Sequence, residues 1–109
     1  PSHPQHALSM KQMSNLGGAV VSFDIKAQGP EMARSRAFHV LDSLRVLSLC
    51  TNLGDTKTLL THPASTSHGR LTEAQRQAAG IGQGLIRVAV GLEYPQDIQK
   101  DLSRGLDTL

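Results

Sequence analysis

The sequence predicts an α+β domain: a small, mostly antiparallel sheet with helices on one face. Three observations lead there. The segment LIRVAVGL, Leu85 to Leu92, is an apolar run rich in β-branched residues and reads as the strongest strand of the chain. In AVVSFDIKA, Ala19 to Ala27, Val21, Phe23 and Ile25 alternate with Ser22, Asp24 and Lys26, the two-residue period of a strand. Two further apolar runs lie in the middle of the chain, separated by only a tight turn, so at least one strand pair can be antiparallel.

The elements follow in order. Gln5 to Met13 suits a short helix, with Ala7, Leu8, Met10 and Met13 apolar and Gly17-Gly18 as its stop. The alternating strand comes next, and Gly29-Pro30 punctuates it. Pro30 and Glu31 suit a first helical turn, and Ala33, Ala37, Val40, Leu41 and Leu44 lie at helical spacing, so a helix is predicted from Glu31 to Leu44. RVLSLCT reads as a short apolar strand, Asn52 to Asp55 as a turn, and TKTLLTH as a second strand. Pro63 stops that strand, because the residue before a proline is pushed to extended geometry. Thr72 and Gln75 have capping-box spacing and open a helix that Gly80 can close. In the next strand Ile86, Val88 and Val90 should face the core, with Leu85, Arg87 and Ala89 on the other side. Pro95 starts a last helix with Ile98, Leu102, Leu106 and Leu109 at turn spacing. The order is helix, strand, helix, two strands, helix, strand, helix, with no internal repeat.

At 109 residues the chain suits one domain with one core. Its 39% hydrophobic and 18% charged residues are ordinary for a globular protein. Aromatics are 3%, Trp is absent and the charges are scattered to a net +2, so neither a base-stacking platform nor a phosphate-tracking stripe is present and no nucleic-acid partner is expected. No apolar run approaches the roughly eighteen residues of a membrane span, and PSHPQHALSM lacks a basic-then-apolar signal pattern. A cytoplasmic location without membrane contact is therefore the default. The chain begins without an initiator Met and reads as a piece of a longer protein. Cys50 is the only cysteine and lies in an apolar stretch, where a buried, inert thiol is expected.

Arg87 interrupts the best strand and is the first candidate for chemistry. A guanidinium there can present two parallel donors to a carboxylate, a geometry Lys does not match. The alternative is a strand arginine that lays its stem on apolar surface and reaches water. His62 and His68 lie six apart across a proline with no Cys or acid at a metal-ligand spacing, so no metal is expected. His39 falls on the rim of its helix, as a surface or satisfied histidine. Ser65, Thr66, Ser67 and His68 have no G-x-S-x-G frame and no acid to orient His68, and read as a loop that caps a helix or hydrogen-bonds a ligand. GIGQG, Gly80 to Gly84, has no strand before it and reads as a helix stop and a tight link.

Two stretches taken together, NLGDTKTLLTHPASTSHGRLT and GLIRVAVGLE, resemble the closing domain of the Cys/Met-metabolism enzymes that use pyridoxal phosphate, a group of cystathionine synthases and lyases, methionine γ-lyases and homoserine sulfhydrylases. An NLG or SLG turn, an HPA element and a GLIR strand recur there in this order. The likeness extends upstream through PSHPQHALSMKQMSNLGGAVVSFDIK and so covers nearly the whole chain. The wording is most similar to that of O-succinylhomoserine sulfhydrylases, with the O-acetyl enzymes next. The resemblance implies that residues 1–109 form the C-terminal small domain of a fold-type I enzyme, with a large cofactor-binding domain preceding Pro1. It implies that Arg87 binds the α-carboxylate of the amino acid substrate, that Asn52, where lyases usually have Ser, lies beside the same carboxylate, and that Ser67 lines the entrance. No lysine here, Lys11, Lys26, Lys57 or Lys100, stands in the family's Schiff-base motif, so no catalytic residue is expected in this chain and the piece alone should be inactive. For the complete enzyme the implied reaction is γ-replacement: O-succinyl- or O-acetyl-homoserine and sulfide giving homocysteine, in a homotetramer. A noncatalytic domain whose Arg87 grips a carboxylate metabolite, and a related lyase, stand as alternatives.

Overall fold

The computed structural model describes residues 2–109, in the order α1 His6–Gln12, β1 Val20–Asp24, α2 Pro30–Asp42, β2 Ser48–Leu49, β3 Leu59–Thr61, a single 3-10 turn Pro63–Ser65, α3 Glu73–Ala78, β4 Leu85–Ala89 and α4 Pro95–Leu106. The four strands form one sheet in the order β1-β4-β3-β2, so the most apolar strand is an inner one. It pairs antiparallel with β1 on one side and with β3 on the other.

The two middle strands do not form a hairpin: β2 and β3 run parallel. Two features explain this. The amides of Arg45, Val46 and Leu47, expected to belong to the first middle strand, instead point at the carboxylate of Asp101, so only Ser48 and Leu49 remain for pairing. The chain then loops back through residues 50–58 and rejoins the sheet in the same direction, with Ser48 N donating to Thr58 O at 3.2 Å and Cys50 N to Leu60 O at 3.0 Å. Both antiparallel ladders belong to β4, and the sheet as a whole is mixed.

Alternation decides what each strand face does. Ile86, Val88 and Leu60 point to one side, where Ala37, Val40 and Leu41 of α2, Ile98 of α4, Ile25 and Leu47 close over them as the core. Both long helices therefore cover the same sheet face, as the sequence predicts. They touch closely: a Cβ placed on Gly105 of α4 would come within 2.5 Å of Val40 Cα on α2. Val90, expected on the core face, is exposed, as are Val21, Leu106 and Leu109. Val21 lies on the edge strand and the others at element ends, where no layer covers them.

Asp101 is the most unusual member of the interior. It is 1% exposed and sits on the buried stripe of α4 with Ile98 and Gly105. Its oxygens accept from Arg45 N at 3.0 and 3.1 Å, Val46 N at 2.9 Å and Leu47 N at 2.9 Å, and Arg104 Nε lies at 3.3 Å. Burial pushes this carboxyl upward, but the amides of Leu47, Val46 and Arg45, with the Arg104 charge, outweigh it and hold it below its ordinary value. A second carboxylate ties the far end of the sheet. Glu93 accepts from Thr58 N at 2.7 Å and from the Thr58 hydroxyl at 2.6 Å, and Thr58 Oγ1 in turn accepts from Gly91 N at 2.9 Å. The Thr58 hydroxyl holds the Glu93 carboxyl below its usual range.

The first helix ends differently from expectation. It stops at Gln12, and the left-handed residues that turn the chain are Ser14 and Asn15, with φ of 52° and 63°, ahead of Gly17-Gly18. Asn15 N donating to Met10 O at 2.7 Å closes the end. Among the described residues no helix is long and apolar enough to cross a membrane.

Candidate functional site

Arg87 occupies the middle of β4. Its register partners are Ser22 on β1 and Thr61 on β3, so a row of two hydroxyls and one guanidinium runs across the sheet face opposite the helices. Arg87 is half-buried as a residue, and its Nη2 donates to the main-chain carbonyl of Thr51 at 2.7 Å in an exposed contact. Thr51 is the residue before the Asn52-Leu53-Gly54 bend, which Gly54 turns with φ of 79°. Neither ion pair among the described residues involves Arg87: they are Arg76 with Glu73 and Arg104 with Asp101. One edge of the fork is thus pinned to the bend while its charge has no anionic partner among the described residues. An accessible guanidinium in that state suits an incoming carboxylate.

The hydroxyl-rich stretch folds into the turn that follows β3. His62 is 2% exposed and anchors it. Its Nε2–H donates to the Gln83 carbonyl at 2.7 Å, which leaves Nδ1 to meet the Ser65 hydroxyl at 2.8 Å. With both ring nitrogens engaged and Phe38 tilted against the ring at 5.1 Å, His62 is a structural histidine. Thr66 Oγ1 donates to His62 O at 2.8 Å, so in the 2.8 Å contact between Thr61 and Thr66 the Thr61 hydroxyl is the donor. The residue beside Arg87 on β3 is in this way tied to the turn. Ser67 is exposed and its hydroxyl pairs with His68 Nδ1 at 2.9 Å, with no bond to Arg87.

Placement of the three residues singled out in the sequence is therefore uneven. Arg87 and the Asn52 bend are brought together through Thr51. Asn52 is exposed next to that contact, and Ser67 stands farther along the chain on the rim of the turn. His39 is exposed and pairs with the Thr108 hydroxyl at 2.7 Å. Gly80, with φ of 72°, ends α3, and residues 80–84 form the link into β4. Cys50 is half-buried, where full burial was expected, because it lines a cavity of about 240 Å³ between Phe38, Leu41, Leu49, Leu60 and His62. Thr61 and the Thr51 carbonyl were not singled out in the sequence. The two-residue period of β3 places Thr61 on the Arg87 side, but a backbone acceptor leaves no trace in residue type.

The sequence profile of the Cys/Met metabolism PLP-dependent enzymes matches residues 1–107. The chain belongs to that family. Among relatives of the Cys/Met metabolism family, an O-succinylhomoserine sulfhydrylase of Pseudomonas aeruginosa is 54% identical over 109 residues, all of this chain and 26% of the relative. An O-succinylhomoserine sulfhydrylase of Mycobacterium tuberculosis is 45% identical over 106 residues, 97% of this chain and 26% of the relative. An L-methionine gamma-lyase of Fusobacterium nucleatum is 44% identical over 108 residues, 99% of this chain and 26% of the relative. The chain thus spans about a quarter of the length of the relatives it matches. Of solved structures, a cystathionine gamma-lyase from Micromonospora echinospora superposes with a TM-score of 0.81 at 42% identity, over 98% of this chain and 26% of that one. A putative O-acetylhomoserine (thiol)-lyase from Campylobacter jejuni, which carries a pyridoxyl-lysine, superposes with a TM-score of 0.81 at 34% identity, over 97% of this chain and 24% of that one. The fold is that of the matching part of fold-type I PLP enzymes.

This family depends on pyridoxal phosphate, and the lysine that bears it lies outside this chain. Lys11, Lys26, Lys57 and Lys100 are all exposed. The groups around Arg87 suit a carboxylate and do not by themselves hold a pyridoxal ring.

Proposed function

We propose that this chain is the substrate-gripping C-terminal domain of a PLP-dependent O-succinylhomoserine sulfhydrylase, with Arg87 binding the substrate's α-carboxylate, Asn52 beside it and Ser67 at the entrance. The observation that carries the reading is the guanidinium of Arg87, held at 2.7 Å by the Thr51 carbonyl next to the Asn52 bend and lacking an acidic partner among the described residues. The 54% identity to a sulfhydrylase over the full chain supports the finer assignment.

In this reading the complete protein performs γ-replacement, converting O-succinylhomoserine and sulfide to homocysteine as a homotetramer. Pyridoxal phosphate, held by a large domain that precedes Pro1, supplies the electron sink. The work of this chain is orientation. Two parallel N–H donors fix the carboxylate plane, and with it the direction of the bonds at Cα, so that the reacting bond is presented in one geometry. Because Nη2 already leans on Thr51, the fork loses little rotamer freedom when substrate arrives. The isolated domain carries no catalytic group and is inactive.

The test is Arg87→Ala in the complete protein. Removing a charge-assisted hydrogen-bond pair worth about 3 kcal/mol raises KM for the amino acid roughly a hundredfold, while the absorbance of bound cofactor is retained. Unchanged kinetics would remove the assignment. Methionine γ-lyase relatives at 44% identity favour a second reading, a lyase. Incubation with O-succinylhomoserine and sulfide separates the two: homocysteine marks the sulfhydrylase, and a 2-oxo acid with ammonia marks the lyase.

A further inference from the structure

The side chain and backbone of Gln83 join four parts of the fold. Its carbonyl accepts from buried His62 in the hydroxyl turn at 2.7 Å. Its Oε1 accepts from Arg34 Nη1 of α2 at 3.1 Å, and its Nε2 donates to Glu73 Oε2 of α3 at 2.8 Å. Its own position is in the link just before β4, where Gly84 presses on the Ile25 carbonyl so closely that a Cβ there would stand 2.8 Å from it. Arg34 also stacks over Phe38 at 5.0 Å, and Phe38 packs on His62 at 5.1 Å, closing the circuit from α2 back to the turn.

The circuit continues to the loop that carries Ser67 and His68. Glu73 accepts from Arg76 Nη2 at 2.8 Å and Nε at 3.3 Å, besides Gln83 and, at 3.4 Å, Gln77. Arg76, so oriented, donates through Nη1 to the carbonyls of Leu71 and His68. The start of the hydroxyl loop is tied to Thr61 and His62 through Thr66 and Ser65, and His68 N donates to Pro63 O at 2.9 Å, while from α3 the loop is held by Arg76 at His68 and Leu71. The end of the loop, residues 68–71, is thus joined to Gln83 by the relay through Glu73 and Arg76, and its start by the direct bond between His62 and Gln83 O.

We propose that Gln83 is a positioning residue that fixes the hydroxyl loop, residues 65–71, against the start of β4, and so sets the gap between that loop and Arg87. The proposal rests on the reading of Arg87 as the carboxylate-binding group. A loop held at a fixed distance contributes to substrate binding without touching the reacting bond, so its loss falls on KM and not on kcat.

The experiment uses the complete protein in three forms: Gln83→Ala, Gln83→Glu, and Arg87→Ala as reference. Gln83→Ala removes both side-chain bonds and leaves the carbonyl bond to His62. The expected result is a KM for O-succinylhomoserine raised about five- to twentyfold, the size of one or two hydrogen bonds, with kcat changed less than about twofold. Amide exchange in residues 66–71 quickens by a similar factor. Gln83→Glu keeps the Arg34 bond but sets two carboxylates against each other, and behaves no better. An unmoved KM in Gln83→Ala beside a raised KM in Arg87→Ala overturns the proposal, as does unchanged exchange at residues 66–71 in Gln83→Ala. If Arg87→Ala leaves KM untouched, the reading of Arg87 falls instead. Exchange at residues 66–71 then decides for Gln83: faster exchange in Gln83→Ala upholds its positioning role, and unchanged exchange removes it.

Discussion

Replacing Asp101 by Asn isolates what one buried carboxylate does for this fold. The substitution keeps shape and volume but turns an amide NH2, a donor, toward backbone N–H groups that need an acceptor. Three amides, Arg45, Val46 and Leu47, converge on the carboxylate at 2.9 to 3.1 Å. A hydrogen bond to a charged acceptor is worth about 1.5–3 kcal/mol, so loss of one oxygen and of the charge, with the other oxygen retained, costs about 3 kcal/mol. The assay is amide hydrogen exchange at residues 45–47, where that cost appears as roughly a hundredfold loss of protection. The pH dependence supplies a second, independent check. The folded-state value of Asp101 is depressed below 3.8. Its contribution is therefore complete above that ordinary value and is lost as pH falls through the lower, folded one. The difference between wild type and Asp101→Asn should stay constant from neutral pH down to about 4 and shrink below it. Equal protection in the two proteins, or a difference that persists undiminished in acid, would refute the account of Asp101 as a charged acceptor for the amide triplet.

Gly105→Ala should lower stability although alanine is the better helix former. The gain of about 1 kcal/mol in propensity is opposed by a Cβ set 2.5 Å from Val40 Cα, a backbone contact that yields only if α2 and α4 part. Calorimetry of the complete protein checks the sign, and a raised melting temperature would show that the helices separate freely. Thr58→Val, nearly isosteric at a fully buried position, strips an acceptor from Gly91 N and a donor from Glu93, and should cost about 1–3 kcal/mol in urea unfolding.

Much of the fold was legible because it rests on local signals. The capping box forms as read, with Thr72 and Gln75 each bonded to the other's backbone amide. Alternation placed Ile86 and Val88 in the core and Arg87 opposite them. The middle of the chain was not legible in the same way. RVLSLCT has the composition of a strand, but its first three residues are claimed by a carboxylate more than fifty positions away. Sequence distance hid that contact, although Asp101 did leave a mark as an acid on the apolar stripe between Ile98 and Gly105. At the site, Arg87 stood out because a charge inside an apolar strand is costly without a purpose. Gln83 did not, since a glutamine in a glycine-rich link is unremarkable until its three partners are seen in space.

The place of Arg87 on an inner strand, zipped on both flanks, carries a consequence for how a faulty copy of this protein behaves. A slip of one position along either ladder would swing the guanidinium to the side covered by α2 and α4, immersing an uncompensated cation in hydrocarbon. A misaligned molecule would consequently fail to hold together before it could present a wrongly aimed pocket. Folding itself proofreads the aim of the arginine.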